Sequence, residues 1–327
     1  MNKKGTILIT GGTGSFGKSF ARHLLIKKIF KKIIIFSRDE LKQHNMKNEE
    51  IFKKNYKKMR YFIGDIREKS RLINAFNKVD YIIHAAALKQ VDTAEYNPFE
   101  FIKTNIQGTE NVIQAATANS VKKVVALSTD KAVSPINLYG ATKLCADKLI
   151  ISANNVFGDQ NISFSLVRYG NVVASRGSII PILIKNKNKK QIELTDKSMT
   201  RFNITLEKAV DLVMLALKNS KKGEIYVPKM KSYRLIDLAR TIAPKANFKF
   251  SGIRPGEKIH EEIISENESK NIQEKKDYFI INPSREGVRK KKNKTKIFSY
   301  KSNTNNKFLS SNEIKNIIKK LYNDNTI

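Results

Sequence analysis

Tyr139 and Lys143 are four residues apart at the start of a predicted helix, so their side chains share one face of it. A phenol beside an ammonium makes a usable base, because the positive charge favours the phenolate and lowers the pKa of the tyrosine towards the working pH. Thr129 can add a hydroxyl hydrogen bond to the same substrate oxygen, and Asp130 and Lys131 supply two further titratable groups. Together these residues predict acid–base chemistry.

A strand, a loop and a helix must position these side chains. Val124 to Leu127 is typical of a buried strand, and a polar loop containing Pro135 follows it. Ligands of an open parallel sheet bind beyond the carboxyl ends of its strands, where Asp130 and Lys131 would then lie. Taken alone, a Tyr-x-x-x-Lys pair is usually a helix face, and a Thr-Asp pair after a strand is usually a turn or a cap. Their order downstream of a dinucleotide fingerprint favours the functional interpretation.

The N-terminal stretch predicts a dinucleotide site. A short apolar strand, Thr6 to Thr10, leads into Gly11, Gly14 and Gly17 and then into a helix. The first glycine permits a tight turn, the second lets the backbone approach a pyrophosphate, and the third allows close helix–strand packing, with the helix N-terminus facing the phosphates. The residues predicted to bind the cofactor are Gly11, Thr13, Gly14, Ser15, Phe16, Gly17, Ser37, Arg38, Lys42, Asp65, Ile66, Ala86, Ala87, Lys89, Tyr139 and Lys143.

The residues after the second predicted strand favour NADP over NAD. An NAD enzyme usually carries an acidic residue there for the ribose hydroxyls. Here Ser37 and Arg38 follow the strand, and Arg38 can pair with a 2′-phosphate while Ser37 and Lys42 supply further donors. Asp39 keeps NAD open, because it could serve the ribose if the loop shifts. Asp65 is placed to hold the adenine amino group, although a helix N-cap is an equally good interpretation.

The residues at the end of the next predicted strand and in the segment that follows it complete this half of the predicted site. Small residues at 85–87 let the cofactor lie against the backbone, and Lys89 is a substrate or phosphate contact. We expect His84 to be a packed strand-end residue rather than a catalyst. We expect Asn105 to tie its helix to the active-site loop.

Strands and helices alternate up to Val172, which predicts an α/β fold with a doubly wound parallel sheet of Rossmann type. We place the domain change there. Residues 1–172 are predicted to form the NADP-binding Rossmann domain, and residues 173–327 a smaller C-terminal α/β substrate domain whose tail, 285–327, has no predicted packing beyond a final amphipathic helix. Arg201 and Arg254 are expected in loops, where two arginines could clamp a diphosphate.

A net charge of +32 is the most prominent feature of the composition. It suggests nucleic-acid or membrane-surface binding, but the lysines are spread along the chain, and Lys, Asn and Ile are abundant together while Trp is absent. This pattern indicates biased residue usage, so we expect no specific nucleic acid and no membrane as partners. The basic run Arg289 to Lys296 is expected to be a solvated surface segment.

The single cysteine, Cys145, excludes an internal disulfide and fits a reducing compartment. We expect it to be a buried structural thiol. No signal peptide and no membrane span are predicted, and no metal site either, so a cytoplasmic protein is expected.

With these residues considered, the chain resembles the extended short-chain dehydrogenase/reductase family, and within it the inverting UDP-N-acetylglucosamine 4,6-dehydratases of pseudaminic acid biosynthesis. The resemblance extends to about Pro283 and is most specific in Ser128 to Ala132 and Pro135 to Lys143. In the retaining sugar-nucleotide dehydratases a glutamate follows the aspartate, so Lys131 is the mark of the inverting group. The lysine-rich segment from Arg285 departs from the family pattern.

The resemblance implies an internal redox cycle that forms UDP-2-acetamido-2,6-dideoxy-β-L-arabino-hexos-4-ulose. Tyr139, supported by Lys143 and Thr129, would take the C4 hydroxyl proton as hydride passes to NADP⁺. Lys131 would be the base at C5, which needs it neutral, and a cation-crowded site is expected to lower its pKa. Asp130 would be the protonated acid at C6.

The resemblance also implies a substrate site and an assembly. The residues expected to hold UDP-N-acetylglucosamine are Lys89, Asn171, Arg201, Arg254 and Glu257. Relatives form homo-oligomers, from dimers to larger rings, so a dimer to a hexamer is expected, and the product could serve flagellin glycosylation or another surface glycan.

Three other classes of function remain open from the sequence. A retaining 4,6-dehydratase or a 4-epimerase could use the same scaffold, although an epimerase has no need for an acid–base pair at C5 and C6. A non-catalytic dinucleotide-binding scaffold would have no use for Thr129, Tyr139 and Lys143. A basic nucleic-acid-binding protein would show salt-sensitive, sequence-tolerant binding.

Overall fold

Residues 5–158, 160–173, 179–283 and 297–323 are described by the computed structural model of the 327-residue chain. The basic run at 289–296 lies outside the described residues. The strands are β1 (Thr6–Thr10), β2 (Lys32–Ser37), β3 (Met59–Ile63), β4 (Tyr81–His84), β5 (Lys123–Thr129), β6 (Ser163–Tyr169), β7 (Asn171–Val172), β8 (Gln191–Leu194), β9 (Thr200–Ile204), β10 (Ile225–Pro228), β11 (Lys231–Arg234), β12 (Asn247–Phe250), β13 (Glu262–Ile264), β14 (Ile272–Glu274), β15 (Tyr278–Ile281) and β16 (Tyr300–Lys301). The α-helices are α1 (Ser15–Ile26), α2 (Glu40–Asn48), α3 (Glu50–Lys54), α4 (Lys69–Ala75), α5 (Val91–Tyr96), α6 (Pro98–Phe101), α7 (Gly108–Ala118), α8 (Leu138–Val156), α9 (Ile179–Lys185), α10 (Leu206–Asn219), α11 (Leu235–Ile242), α12 (Glu266–Ser269) and α13 (Ser311–Asn323), with 3₁₀ turns at Tyr56–Lys58 and Asp130–Ala132 and a π-helical turn at Ile102–Gln107.

A nine-stranded sheet in the order β14-β15-β10-β6-β5-β4-β1-β2-β3 forms the centre of the molecule. The strands from β10 to β3 are parallel, and β15 and β14 continue the sheet antiparallel beyond β10. The apolar runs that predict strands are buried, as in β2, where the three consecutive isoleucines at 33–35 are each at most 5% exposed. Burial on both faces is what helices on the two sides of a parallel sheet produce. The predicted doubly wound α/β fold is confirmed.

The chain after residue 172 returns to this sheet. Strands β10, β14 and β15 lie in it, and α10 packs against β5, β6 and α1. Residue 172, the predicted boundary, is therefore where the chain first leaves the main sheet. Later strands return to that sheet, so its strands come from both sides of the predicted boundary. Parallel pairing of β10 with β6 explains the return, because it extends the sheet beyond β6 and gives α10 a place to pack.

A second apolar core lies in the C-terminal part of the chain. It joins α9, β8, α11 and α13 through side chains that include Ile184, Leu194, Leu238 and Ile314. The short sheet β12-β8 contributes to this core, whereas the sheet β11-β9-β7 lies between the two cores, with Phe202 and Ile204 in the larger one and Tyr233 in this one. The predicted final amphipathic helix is confirmed as α13, which packs against α11.

Helix α8 carries the Tyr139–Lys143 pair on its buried face. Tyr139, Lys143, Asp147 and Ile150 are buried at helical spacing, whereas Cys145 is exposed. The expectation of a buried thiol is wrong because position 145 falls on the opposite side of the helix from this stripe. Within the described part of the chain, no helix is both long enough and apolar enough to cross a membrane.

Candidate active site

A cavity of about 910 Å³ opens at the carboxyl ends of the central parallel strands. Every residue that the sequence predicts for the cofactor, and every predicted catalytic residue, lines it. The cavity lies where strand order reverses between β1 and β4, which is where open α/β sheets bind ligands. Residues that line it without having been predicted for a role are Phe36, Gly64, Gln90, Thr104, Leu127, Ser128, Tyr169, Gly170, Val172 and Leu206.

The glycine-rich turn after β1 has the close approaches that a dinucleotide cradle needs. Gly11 has φ +65°, and a Cβ there would come within 2.9 Å of the Ala86 backbone. A Cβ on Gly17 would come within 2.6 Å of the Gly12 Cα. Gly14 precedes α1 without a side-chain cap, so the first N–H groups of the helix face the cavity end of the turn. These features fit a nicotinamide dinucleotide with its pyrophosphate at the α1 N-terminus.

Charged groups at the end of β2 surround the place predicted for the adenosine ribose. Asp39 caps α2 by accepting from the Lys42 N–H at 2.9 Å, and its carboxylate also pairs with the Lys42 ammonium. Arg38 is half-exposed, with its Nη1 3.4 Å from Asp65 Oδ2. Asp65 caps a turn by accepting from the Arg67 N–H at 2.9 Å. Asp39 is thus engaged by its own helix, whereas the Arg38 guanidinium lies at the cavity wall.

A chain of buried hydrogen bonds joins the cofactor turn to the catalytic helix. Thr10 Oγ1 lies 2.8 Å from His84 Nδ1, and His84 Nε2 lies 3.1 Å from Thr109 Oγ1. Thr109 donates to the Asn105 carbonyl, and the Asn105 amide bonds both the Leu88 backbone and Thr142 Oγ1 on α8. Burial lowers the pKa of His84 to about 3, so it is a neutral packed residue. The expectations for His84 and for Asn105 are confirmed.

Tyr139 and Lys143 meet the cavity from α8 as predicted, but their electrostatics differ from the prediction. Burial raises the pKa of Tyr139 to about 12, although the nearby Lys131 ammonium and the Thr129 hydroxyl oppose the rise. Lys143 donates to the Leu127 carbonyl at 2.8 Å, and burial lowers its pKa despite Asp147. The expectation that Lys143 lowers the pKa of Tyr139 is therefore wrong for the protein without ligands, because burial of the phenol outweighs the neighbouring charges.

Asp130 and Lys131 form a cluster with a carboxylate that the sequence reasoning missed, Glu261. Lys131 Nζ lies 3.1 Å from Asp130 Oδ1 and 3.2 Å from Glu261 Oε1. Burial raises the pKa of Asp130, as expected for an acid. Burial by itself would lower the pKa of Lys131, but the two carboxylates outweigh it and raise that pKa. The expectation that a cation-crowded site lowers the pKa of Lys131 is wrong, because its nearest charges are anions rather than cations.

Glu261 escaped prediction because it comes from the far end of the chain. It directly precedes β13, which packs against the 3₁₀ turn that carries Asp130 and Lys131. Glu261 lies within the part of the chain, up to about Pro283, that carries the family resemblance. The resemblance alone does not indicate that this residue contacts Lys131.

The residues predicted to hold the substrate separate into two groups. Lys89 and Asn171 line the cavity. Arg201 lies on strand β9 rather than in a loop, is buried, and has Nη2 3.3 Å from Glu257 Oε1. Arg254 is exposed in a loop. Arg201, Arg254 and Glu257 do not line this cavity, and their role in holding the UDP part stays a prediction.

The parallel sheet, the glycine-rich turn after β1 and the Tyr139–Lys143 pair beyond β5 define a short-chain dehydrogenase/reductase with a Rossmann sheet. Within that class the chain belongs to the family described as polysaccharide biosynthesis protein, whose family model matches residues 7–283.

Similar proteins include enzymes of nucleotide sugars. The chain is 49% identical to a Campylobacter jejuni protein named UDP-N-acetylglucosamine 4,6-dehydratase (inverting), over 97% of this chain and 98% of that one. It is 44% identical to a Rickettsia bellii protein named UDP-glucose 4-epimerase, over 84% of this chain and 82% of that one. The X-ray structure of Pen from Bacillus thuringiensis matches with a TM-score of 0.88 and 40% identity over 100% of both chains. The similarity to the Campylobacter jejuni protein and to the Bacillus thuringiensis structure covers both apolar cores of the molecule.

Proposed function

We propose that this protein is a UDP-N-acetylglucosamine 4,6-dehydratase that inverts C5, and that its product is UDP-2-acetamido-2,6-dideoxy-β-L-arabino-hexos-4-ulose. The observation that carries the proposal is the position of Asp130 and Lys131. They lie in contact with each other at the end of β5, in the same cavity as Tyr139, where an acid and a proton carrier can act on one sugar. The name of the relative at 49% identity supports the substrate and the inversion.

Oxidation at C4 comes first. A bound NADP⁺ would accept hydride from C4 and return it to C6, so the cycle has no net redox change. Tyr139 takes the C4 hydroxyl proton, with the Thr129 hydroxyl holding the same oxygen. Lys143 fixes the end of β5 through its bond to the Leu127 carbonyl. The resulting ketone acidifies the hydrogen on C5.

Loss of water follows as a proton relay. The relay is concerted, because the electrons of the C5–H bond form the C5=C6 bond as the C6–O bond breaks. Asp130 gives its proton to the departing C6 oxygen, the Lys131 ammonium 3.1 Å away passes a proton to Asp130, and Lys131 takes the proton from C5. Asp130 and Lys131 thus end as they began, and the substrate has lost one water. Hydride would then return to C6, and C5 would regain a proton on its opposite face. Because Tyr139 took one proton from the C4 hydroxyl, the complete cycle neither gains nor loses a proton.

An NMR experiment with the purified protein and UDP-N-acetylglucosamine tests the function. A 4-keto-6-deoxy product of L-arabino configuration supports the proposal, whereas the D-xylo product would keep a dehydratase and discard inversion. UDP-N-acetylgalactosamine would identify a 4-epimerase, the second candidate, which the name of the Rickettsia bellii relative favours. Absence of any reaction by protein that binds NADP would contradict the proposed substrate and favour a non-catalytic scaffold.

The cofactor is proposed to be NADP, held at its 2′-phosphate by Arg38 with Ser37 and Lys42. Arg38→Ala is expected to weaken NADP binding roughly 10- to 150-fold, because hydrogen bonds to charged groups are worth about 1.5–3 kcal/mol. NAD binding should change little. Calorimetric titration of both nucleotides measures this, with Arg240→Ala on the exposed side of α11 as the control. Equal losses for NAD and NADP would contradict a 2′-phosphate contact.

Lys131→Ala should separate oxidation from dehydration. We expect water loss to fall roughly 100- to 10,000-fold, the usual worth of a positioned proton-transfer group, while reduced cofactor still forms when substrate is added. Cofactor absorbance and product NMR measure the two steps. Lys148→Ala, exposed on the outer side of α8, is the matched control. Full dehydration by the Lys131 variant would remove this residue from the C5 step.

The wider assignments rest on the resemblance. We propose that the product serves a surface glycan, with pseudaminic acid and flagellin glycosylation as the route, and that the protein forms a homo-oligomer of two to six copies. A cytoplasmic location also stays a prediction. Among the described residues, no group of His, Cys, Asp or Glu is arranged to hold a metal ion.

A further inference from the structure

Two buried carboxyl groups and the Lys131 ammonium form a cluster at the cavity. Asp130 is 0% exposed and Glu261 is 2% exposed. Lys131 Nζ lies between them, 3.1 Å from Asp130 Oδ1 and 3.2 Å from Glu261 Oε1. One ammonium can offset the desolvation of one buried anion, so a second carboxyl group ionises only where a further cation lies close to it. The carboxyl group with the weaker cationic surroundings is therefore the one expected to hold a proton.

The surroundings of the two carboxylates are unequal. Glu261 faces a second cation, since its Oε1 also lies 3.6 Å from the Arg201 Nε. The half-buried Lys258 adds a third positive charge on that side. Among the described residues, the groups bonded to Asp130 are the shared Lys131 ammonium and the neutral Thr129 hydroxyl, which donates at 3.0 Å, and Lys258 acts more strongly on Glu261 than on Asp130. The cations thus favour the charge on Glu261.

The free oxygen of Asp130 faces the substrate side. Within the described residues Asp130 Oδ2 is buried and has no hydrogen-bond partner. A Cβ placed on Gly170 would lie 3.3 Å from it, and Gly170 lines the cavity. A proton on Oδ2 would therefore lie where a sugar hydroxyl can accept it.

We propose that Glu261 carries the negative charge that pairs with Lys131, and that it thereby keeps the proton on Asp130. Glu261 is then a positioning residue, because it acts on the sugar only through Asp130 and Lys131. The role of Asp130 as the acid at C6 rests on the proposed function, whereas the location of the proton on Asp130 does not.

The pKa shifts of the cluster agree with this charge distribution. Burial raises the pKa of Asp130, and the charge of Glu261 raises it further, while Lys131 opposes both. Burial would raise the pKa of Glu261, but Lys131 and Arg201 lower it below its ordinary value. Among the described residues, Tyr139 and Tyr233 also face the cluster, and burial raises their pKa values to about 12, so both remain neutral. Glu257 shares the Arg201 guanidinium with Glu261, at 3.3 Å from Nη2.

Loss of the Glu261 charge should move the proton. In Glu261→Gln the Lys131 ammonium keeps Asp130 as its one carboxylate partner among the described residues, so Asp130 is expected to ionise and stop acting as an acid. An opposite or like charge at this distance shifts a carboxyl pKa by about one to three units. In Glu261→Asp the charge is kept, so the proton should return to Asp130.

Infrared difference spectroscopy on the full-length protein without substrate tests the proton directly. The C=O band of a protonated carboxylic acid should be present in the native protein and absent from Asp130→Asn. The band should disappear as pH rises, and in Glu261→Gln this should happen about one to three pH units lower than in the native protein. Glu261→Asp should bring the pH of disappearance back to the native value. Glu262→Gln, the neighbouring residue whose carboxylate bonds Ser134, is the control and should leave the band unchanged. An unshifted band in folded Glu261→Gln would overturn the proposal.

Turnover of UDP-N-acetylglucosamine then tests the consequence. The rate of water loss should fall as pH rises through the pKa of Asp130, and this basic limb should lie about one to three pH units lower in Glu261→Gln, with C4 oxidation retained. A merely structural role would lower the rate at every pH without moving the limb, and that result would contradict the proposal. Failure of the native protein to turn over the sugar would refute the proposed function while leaving the infrared result valid.

Discussion

Tyr139→Phe is expected to abolish the formation of reduced cofactor when nucleotide sugar is added to the protein. Removing the hydroxyl removes the group that takes the C4 proton, and such groups contribute about 100- to 10,000-fold to the rate. The ring itself stays, so its packing against Ala94 and Phe101 is kept and the fold should be unaffected. Stopped-flow absorbance of the nicotinamide, with the melting temperature as a check on folding, measures the effect.

The pH dependence of this step follows from the buried phenol. Burial raises the pKa of Tyr139 to about 12 in the protein without ligands, so the phenolate fraction, and with it C4 oxidation, should increase as pH rises. Tyr96→Phe changes a phenol that is 88% exposed and should leave the rate unchanged. Normal cofactor reduction by Tyr139→Phe would assign the C4 proton to another group and would remove the Tyr-x-x-x-Lys pair from the mechanism.

The sequence predicts the main sheet and the cofactor cavity well because their signals are local. A buried apolar strand, three glycines and the start of a helix occur together between Thr6 and Ile26, and the structure keeps them together. The same holds for β5, the loop after it and α8. Each of these units has its chemistry and its secondary structure in one short stretch of chain, so spacing alone indicates which side chains share a face.

The electrostatics of the site are much less predictable because they depend on contacts between distant segments. Glu261 reaches Lys131 only once β13 packs against the turn after β5, and it reverses the expected direction of the Lys131 pKa. Arg201 was expected in a loop as a phosphate clamp, but β9 buries it against Glu257. The return of β10 to the sheet is likewise a long-range pairing, which short-range pattern does not reveal.

Asp130→Asn is expected to stop the cycle after C4 oxidation. The amide keeps the size of the carboxyl group and can still accept from Thr129 and Lys131 at the Oδ1 position, but it has no acidic proton for the C6 hydroxyl. Water loss should fall roughly 100- to 10,000-fold, while reduced cofactor and a 4-keto sugar with an intact C6 hydroxyl accumulate. Rapid quenching followed by mass spectrometry of the sugar nucleotide detects that intermediate, and normal turnover would remove Asp130 from the mechanism.

Comparison of Asp130→Asn with Glu261→Gln distinguishes loss of the acid from loss of its proton. Asp130→Asn cannot regain an acidic proton, so its stall should persist at every pH at which the protein is folded. Glu261→Gln keeps the carboxyl group, so lowering the pH should reprotonate Asp130 and restore water loss. Folding should not be the limit in Asp130→Asn, because the variant removes a buried carboxyl while Glu261 keeps both Lys131 and Arg201 as partners. If lowering the pH restored water loss in Asp130→Asn, the proton donor would be another group in the cavity.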